Sequence, residues 1–431
     1  MPAPTRPARR VLLLNQAFHP DVVATAQMGK DLADELSRRG HQVMAIASRS
    51  IYGRSGAVLP RREAIEVPGG LPIGVHRVGA SLFGKAGYAA RIADFALFYL
   101  LALIKALTLP RADVVICYTT PPFIALVGLI CRVLRGSRAI YWVMDLYPDL
   151  PVACGVMKPA ALPTRLFERL NRFLLRRSDV DVVLGRCMRD RVLAKGVPES
   201  KVRLIPVWAD LAGVEPVAHE ANPYRARWAP GGELVVMYSG NFGIGHDATT
   251  ILGAMERLRA EAGLRFVFVG GGKRRAEVES FIREKGLTNA AWHDYQPREQ
   301  LGASLSAGDI HLISLREGVE GIMVPSKLFG IMAVGRASIF VGNTSSEIAR
   351  VLSESDAGVT VREGDADGLA RAILALRDDA ARRRAMGDNA RRAISGRYDR
   401  ETACRAWVEL IESVGAQPDA AGARGGVTNA A

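Results

Sequence analysis

The sequence predicts an α/β protein made of two doubly wound domains that face each other across a cleft. Short β-branched, apolar runs alternate with helical patterns from one end of the chain to the other, the mark of βα units around parallel sheets. At 431 residues the chain is too long for one compact core and long enough for two that each bury an interior. From Asp210 to Gly232 the periodicity stops, and Pro216, Pro223 and Pro230 appear with paired glycines, the composition of a connection between domains.

The first series of strands is expected at Val11–Asn15, Gln42–Ser48, Gly74–Val78, Asp113–Thr119, Ala139–Asp145, Asp181–Leu184 and Val202–Pro206. Helices lie between them. Ala24–Arg39 places Leu32, Ala33 and Leu36 on one face and stops at Gly40, as helical periodicity and a terminal glycine require. The second series is Leu234–Ser239, Arg265–Val269, Ala291–Tyr295, Ile310–Leu315, Ala337–Val341 and Gly358–Val361. The expected division is a first domain over 1–210, a linker over 211–232 and a second domain over 233–395. A C-terminal helix over 396–415 packs back towards the first domain, and 416–431 has the Gly/Ala composition of a disordered tail. Open parallel sheets bind ligands outside the carboxyl ends of their strands, so both domains point their working loops into the shared cleft.

Hydrophobic residues make up 49% and charged residues 23% of the chain, an ordinary globular balance. Lys and Arg exceed Asp and Glu by 57 to 44, leaving +13, which favours anionic partners such as phosphates or an anionic membrane surface. Nucleic acid is not expected, because no zinc spacing, aromatic ribonucleoprotein motif or recognition-helix pattern is present. Five scattered cysteines, Cys117, Cys131, Cys154, Cys187 and Cys404, lack any C-x-x-C pair and point to a reducing, cytoplasmic compartment. The amino-terminal MPAPTRPARRVLLLN has an apolar run of four before Asn15, too short for a signal-peptide core. Ile92–Leu109 is apolar nearly all round, yet Asp94 and Lys105 interrupt it well short of the roughly 20 apolar residues that span a bilayer. Two readings fit it: a helix buried against the sheet, or one that dips into a single leaflet.

Absences narrow the chemistry. The first loop, NQAFHPDVVATAQ, lacks G-x-G-x-x-G, and Gly270–Lys273 lacks the Walker spacing. No nucleophile elbow or H-E-x-x-H occurs, and the seven histidines are not clustered, so no metal site is expected. What remains is anion-binding backbone and a few carboxylates. The turn carrying Gly240, Asn241, Gly243 and His246 closes a strand at the cleft, where backbone N–H groups can hold phosphate oxygens. Val324, Pro325, Ser326 and Lys327 form a second such unit, with proline suited to a first helical turn and lysine a point charge for a diphosphate. Ahead of it Glu317, Glu320 and Gly321 lie in a loop that can offer a carboxylate to a ribose or sugar hydroxyl. In the first domain, YWVMDLYPDLP carries Asp145 and Asp149 out of a strand, suited to orienting an acceptor hydroxyl or taking its proton. His19 and Asp21 in the first loop are further acceptor-side candidates.

FHPDVVATAQ, WVMDLYPDLPVACGV, SDVDVVLGRCMRDRVLAKGVPESKVRLIPVWAD, YSGNFGIGH, FVFVGGGKRRAEVE and VEGIMVPSKLFGIMAVGRASIFVG follow one another in this order. Together they resemble the family 4 glycosyltransferases of the GT-B fold, and within them the bacterial exopolysaccharide and O-antigen enzymes akin to the colanic acid glycosyltransferases. The resemblance covers Val11 to about Val414. It implies transfer of a sugar from a nucleotide diphosphate donor with retention of configuration and no metal or other cofactor. It also implies a donor on the second domain, an acceptor on the first, and lipid-linked acceptors at the cytoplasmic face of the membrane. Asn241 and His246 occupy positions where the wider family often places Arg and Lys. Of the paired glutamates seven residues apart, the second falls at Gly330, with Glu320 out of register. That leaves Lys327 as the main charge on the leaving diphosphate and Asp145 on the acceptor side as the catalytic pair. Two rivals share these features: a sugar-nucleotide epimerase of the same fold, and a catalytically inactive membrane-associated scaffold.

Overall fold

The computed structural model describes residues 7–21, 23–51, 58–79 and 88–416. In the first domain the order is β1 (Arg10–Leu14), α1 (Ala24–Arg38), β2 (Gln42–Ser48), β3 (Arg62–Ile65), β4 (Ile73–Val78) and α2 (Tyr88–Thr108). Then follow β5 (Val114–Cys117), α3 (Ala125–Arg135), β6 (Arg138–Val143), α4 (Asp149–Ala153), α5 (Leu162–Arg177), β7 (Val180–Val183), α6 (Arg186–Ala194) and β8 (Val202–Leu204). These eight strands form one sheet in the order β3-β4-β2-β1-β5-β6-β7-β8. All pairs are parallel except β3 with β4. Strand β3, absent from the sequence reading, is a charged edge: Arg62, Glu63 and Ala64 are exposed, and such strands carry no alternating apolar signal.

The second domain opens earlier than the connection read from sequence. Within 211–232 lies α7 (Pro223–Trp228), capped by the Asn222 side chain, which accepts from the N–H groups of Tyr224 and Arg225. Tyr224 and Trp228 are buried against Val235, Met237, Val267 and Val269 of the second domain, so this part of the segment belongs to that core. The chain continues through β9 (Leu234–Asn241), α8 (Thr249–Arg257), β10 (Leu264–Gly271), α9 (Arg275–Glu284), β11 (Ala290–His293), α10 (Leu301–Ser306) and β12 (Ile310–Ser314). It ends with α11 (Lys327–Ala333), β13 (Ala337–Val341), α12 (Glu347–Ser355), β14 (Gly358–Val361), α13 (Ala366–Asp378), α14 (Ala380–Ile394) and α15 (Arg400–Ala416). Its six strands pair in the order β11-β10-β9-β12-β13-β14, all in parallel.

Strand order reverses between β1 and β5 in the first sheet and between β9 and β12 in the second, and loops at such switch points open into a ligand crevice. Helix α15 returns to pack on α1 and β5, placing Trp407 with its ring 4.4 Å from that of Trp142. The proposed tail beyond Ala416 lies outside the described residues. Helix α2 buries Phe98, Ala102 and Ala106, a stripe of period four, while Leu100 and Ile104 on its other side are 56% and 50% exposed. One face of α2 is therefore buried, as the first reading has it, and an apolar face is turned outward. Among the described residues, no helix is long and apolar enough to cross a membrane.

Candidate active site

The crevice of the second domain is lined by the segments that leave β9 and β12. At the end of β9, Gly240 has φ of +120°, and its carbonyl lies 2.4 Å from where a Cβ on Gly270 would stand. Glycines are thus required for the two strand ends to approach. The turn does not open directly into a helix, since α8 begins only at Thr249. Asn241 is exposed, and His246 is 4% exposed. The His246 Nδ1–H donates to the Ser314 carbonyl at 2.5 Å, an oxygen that can only accept, so Nε2 keeps a lone pair. Burial, followed by the nearby Lys327 ammonium, holds the imidazole pKa at about 3. His246 is accordingly neutral at physiological pH and brings no positive charge to this turn.

Lys327 opens α11 directly after Pro325 and Ser326. Its Nζ donates to the Tyr238 hydroxyl and lies 3.7 Å from the centre of that ring, and its Cε is 3.5 Å from the Cβ position of Gly240. The lysine therefore joins the two segments that the sequence marks as candidate anion sites. Desolvation lowers its pKa well below the ordinary lysine value, a state that an incoming anion reverses. Arg274 and Arg316 add positive charge. Burial raises the Cys154 thiol across the cleft, and Arg316 and Arg274 partly offset this, which places both arginines near the site. Val324 is partly buried, Pro325 is buried, and both line a pocket with Glu320, Gly321, Met323, Ser346 and Glu347. One carboxylate oxygen of Glu320, Oε1, is buried there without a hydrogen-bond partner. Glu317 lies apart, exposed, its N–H donating to Glu363.

In the first domain the loops after β1, β5 and β6 are tied in series. Gln16 N–H donates to the Thr120 carbonyl at 2.7 Å, and the Asp145 N–H donates to the Thr119 hydroxyl at 3.1 Å. Burial raises the Asp145 carboxyl to about 6, within reach of proton exchange near neutral pH. Asp145 also bridges to Met323 of the second domain, and the next N–H, Leu146, donates to the Ile322 carbonyl at 2.9 Å. The candidate acceptor carboxylate thus sits against the loop that bears Glu320. Asp149 has a different setting: it and Glu168 hold the ammonium of Lys195 at 2.8 and 2.7 Å, an ion cluster that fixes α4 against α5 and α6. Asp21 is buried and accepts from the Val23 N–H. His19 is exposed, with its pKa lowered by partial burial and then by Lys30. Among the described residues, no three His, Cys, Asp or Glu side chains are grouped to hold a metal ion.

Two family profiles match in tandem, one on each domain: a glycosyl transferase 4-like domain over residues 25–208 and a glycosyl transferases group 1 domain over residues 233–379. The chain therefore belongs to the glycosyltransferases built from these two domains. This glycosyltransferase is 29% identical over 265 residues to the probable glycosyltransferase WbjE of Pseudomonas aeruginosa, spanning 61% of this chain and 66% of that protein. It is 30% identical over 236 residues to the putative colanic acid biosynthesis glycosyl transferase WcaI of Escherichia coli, spanning 53% and 56%. Less than two thirds of either relative is thus covered. In fold it is similar to sucrose-phosphate synthase from Thermosynechococcus elongatus, with a TM-score of 0.76 at 18% identity over 94% of this chain and 99% of that one. HepE of Anabaena, solved with UDP and glucose, gives a TM-score of 0.70 at 13% identity over 94% and 100%. The architecture is therefore GT-B.

Two arginines that no sequence pattern marks also stand at the cleft. Arg186 and Arg191, both on α6 of the first domain, reach across the cleft. Arg186 pairs with Glu347 at 3.0 Å and with Glu354, and its N–H donates to Glu347 at 2.6 Å. Arg191 donates to the carbonyls of Glu320 and Gly318. These partners are 127 to 168 residues away in sequence, so no local spacing announces them.

Proposed function

We infer that this glycosyltransferase moves a sugar from a nucleotide diphosphate sugar to a lipid-linked saccharide in cell-surface polysaccharide biosynthesis, with retention of configuration and without a metal cofactor. One observation carries the reading: Asp145 and Leu146 of the acceptor side meet Ile322 and Met323 of the donor side directly, two residues from the phosphate-binding candidates Pro325, Ser326 and Lys327. As the bond to the anomeric carbon breaks, charge gathers on the leaving diphosphate. Cations fixed there stabilise the transition state more than the ground state. Lys327 fills this role, supported by Arg274 and Arg316 and by the backbone N–H groups of the Gly240–Gly243 turn. Asp145, next to the Glu320 loop, orients the acceptor hydroxyl. The name of WcaI, a putative colanic acid biosynthesis glycosyl transferase, supports a polysaccharide product, and the UDP and UDP-glucose bound by HepE support the donor class. The test is calorimetry with UDP, GDP and dTDP sugars, followed by transfer of labelled sugar to a bacterial lipid extract with the anomer read by NMR. Binding of one nucleotide and acceptor-dependent transfer with retained configuration is expected. Conversion of the donor sugar without acceptor favours the epimerase, and no nucleotide binding favours the inactive scaffold.

A peripheral place on the cytoplasmic face of the membrane is supported by the outer surface of the first domain. Helices α2, α3 and α5 pack side by side and leave Leu100, Ile104, Val133, Leu134, Leu166 and Phe173 between 49% and 77% exposed. Single exposed apolar residues are ordinary, but an apolar face continuing over adjacent helices marks an interaction site. Helix α5 interleaves that face with five arginines against one glutamate, and Glu168 is already engaged by Lys195 and Arg172. Apolar residues set among arginines suit an anionic bilayer, which takes up the first and attracts the second. Co-sedimentation with phosphatidylglycerol vesicles is expected, lost in Leu166→Asp/Phe173→Asp and weakened by salt. Equal recovery with neutral phosphatidylcholine vesicles would refute the charge-based reading.

A further inference from the structure

We propose that Arg191 is a positioning residue through which the acceptor domain sets the donor-sugar site of the other domain. This rests on the donor reading above. The segment from Gly318 to Met323 belongs to the second domain by chain position, yet most of its backbone is held by the first. Arg191 donates from Nε to the Glu320 carbonyl and from Nη2 to the Gly318 carbonyl at 3.0 Å. The Ile322 carbonyl accepts from Leu146 N–H at 2.9 Å. Gly321 has φ of +70°, and a Cβ there would stand 2.5 Å from the Cys187 carbonyl on α6, so this loop fits α6 only with glycine at that position. Val319 and Ile322, 0% and 2% exposed, anchor it from below.

What the loop carries is Glu320, whose Oε1 is buried in the small pocket without a partner. A buried carboxylate oxygen left unpaired is costly, and a ligand hydroxyl is the natural group to satisfy it. Glu320 lies on the acceptor side of Pro325–Lys327. The group that spans from the diphosphate towards the acceptor is the transferred sugar, so a sugar hydroxyl, not the nucleoside, meets this oxygen. Arg191 touches neither substrate. Its guanidinium fork holds two carbonyls on either side of Val319 and thereby fixes where the Glu320 carboxylate points. The sugar site is therefore complete only while the domains are closed, whereas the nucleotide site, built from the second domain's own loops, is not affected.

The experiment compares, by calorimetry, the affinity for UDP with that for UDP-glucose, for GDP with GDP-mannose, and for dTDP with dTDP-glucose. It uses the full chain and Arg191→Met, Arg191→Lys and Glu320→Gln, all checked for unchanged thermal unfolding. In whichever pair binds, Arg191→Met should leave the bare nucleotide within about twofold and weaken the nucleotide sugar by about tenfold, the usual size for losing a hydrogen bond to a charged group. Glu320→Gln should show the same selective loss. Arg191→Lys, which can reach one carbonyl but not both, should recover part of it. Equal weakening of nucleotide and nucleotide sugar by Arg191→Met, or no weakening of either, overturns the proposal. Failure of every nucleotide to bind the unaltered chain overturns the donor reading itself and this inference with it.

Discussion

Where the chain crosses between the domains, aromatic and backbone contacts dominate beside the ion pair of Arg400 with Asp210 at 3.3 Å, whereas at the mouth of the cleft charged arginines make the contacts. At the crossing, the Trp142 ring lies 5.7 Å from Trp208 and 4.4 Å from Trp407. The two passing segments are joined by Ala209 N–H to the Tyr398 carbonyl and Arg400 N–H to the Ala209 carbonyl, each 3.0 Å. At the mouth, Arg186 and Arg191 hold Glu347, Glu354 and the Gly318–Glu320 carbonyls. Burial of aromatic surface is strong and non-directional, and it survives a small rotation about the crossing. Ion pairs at partly solvated positions are worth about 0–1 kcal/mol each, so these pairs add little to the cost of opening the mouth. The protein keeps its stability at one place and its adjustability at another.

The sharpest way to break this contrast is at the crossing. Trp407 is fully buried, and Trp407→Ala should cost about 3–5 kcal/mol, read as a shift in urea midpoint, while turnover per folded molecule at low temperature stays near normal. A loss of turnover without a loss of stability would mean that the crossing also shapes the cleft.

Lys327→Ala should behave in the opposite way, with turnover falling at least tenfold, or about 1.4 kcal/mol in barrier. Its melting temperature should be unchanged or higher, because the substitution removes an ammonium that burial disfavours. Near-normal turnover in the folded variant would remove Lys327 from the diphosphate site.

Asp145→Asn tests the cleft through pH. Burial raises the carboxyl from 3.8 to about 6 in the folded chain, so the folded state holds this proton more tightly than the unfolded one. The contribution of the group is fully present below pH 3.8 and is lost as pH rises through 6. Above that, Asp145 costs stability, about 1–2 kcal/mol after allowing for its partial exposure. The asparagine variant should therefore be the more stable at pH 7.5 and equal to the parent near pH 4, with transfer reduced and nucleotide affinity kept. A stability difference independent of pH would show that the carboxyl does not titrate in this range.

How far the sequence reached follows the same division between local and distant. The parallel strands were legible because each is an apolar run bounded by turn residues, and Lys327 because proline, serine and lysine are adjacent. Strand β3 was not, since Arg62 and Glu63 face solvent at a sheet edge. Helix α7 was hidden by a proline-rich composition, although Asn222 followed by Pro223 is itself a helix-start pair, a cap and then a first-turn proline. His246 was visible as a residue but not as a neutral one, because its neutrality comes from burial and from the Lys327 ammonium, which only the fold brings beside it. The arginines of α6 stand in a stretch whose helical spacing can be read, yet their partners come from another domain.

The smallest effect expected is at Arg186. Its guanidinium is one third exposed, and its partners Glu347 and Glu354 are 12% and 39% exposed, so Arg186→Met should lower stability by no more than about 1 kcal/mol. A double-mutant cycle with Glu347→Gln isolates the pair, since glutamine still offers an oxygen to the Arg186 N–H that Glu347 now accepts. A coupling of about 0.5–1 kcal/mol is expected in dilute buffer, shrinking in molar salt because charges open to solvent are screened over a few ångströms there. The coupling should appear in the apparent donor affinity as well as in unfolding, because this pair holds the mouth and not the core. A coupling that salt leaves untouched would place the pair in a dry interface, and the mouth would then be as fixed as the crossing.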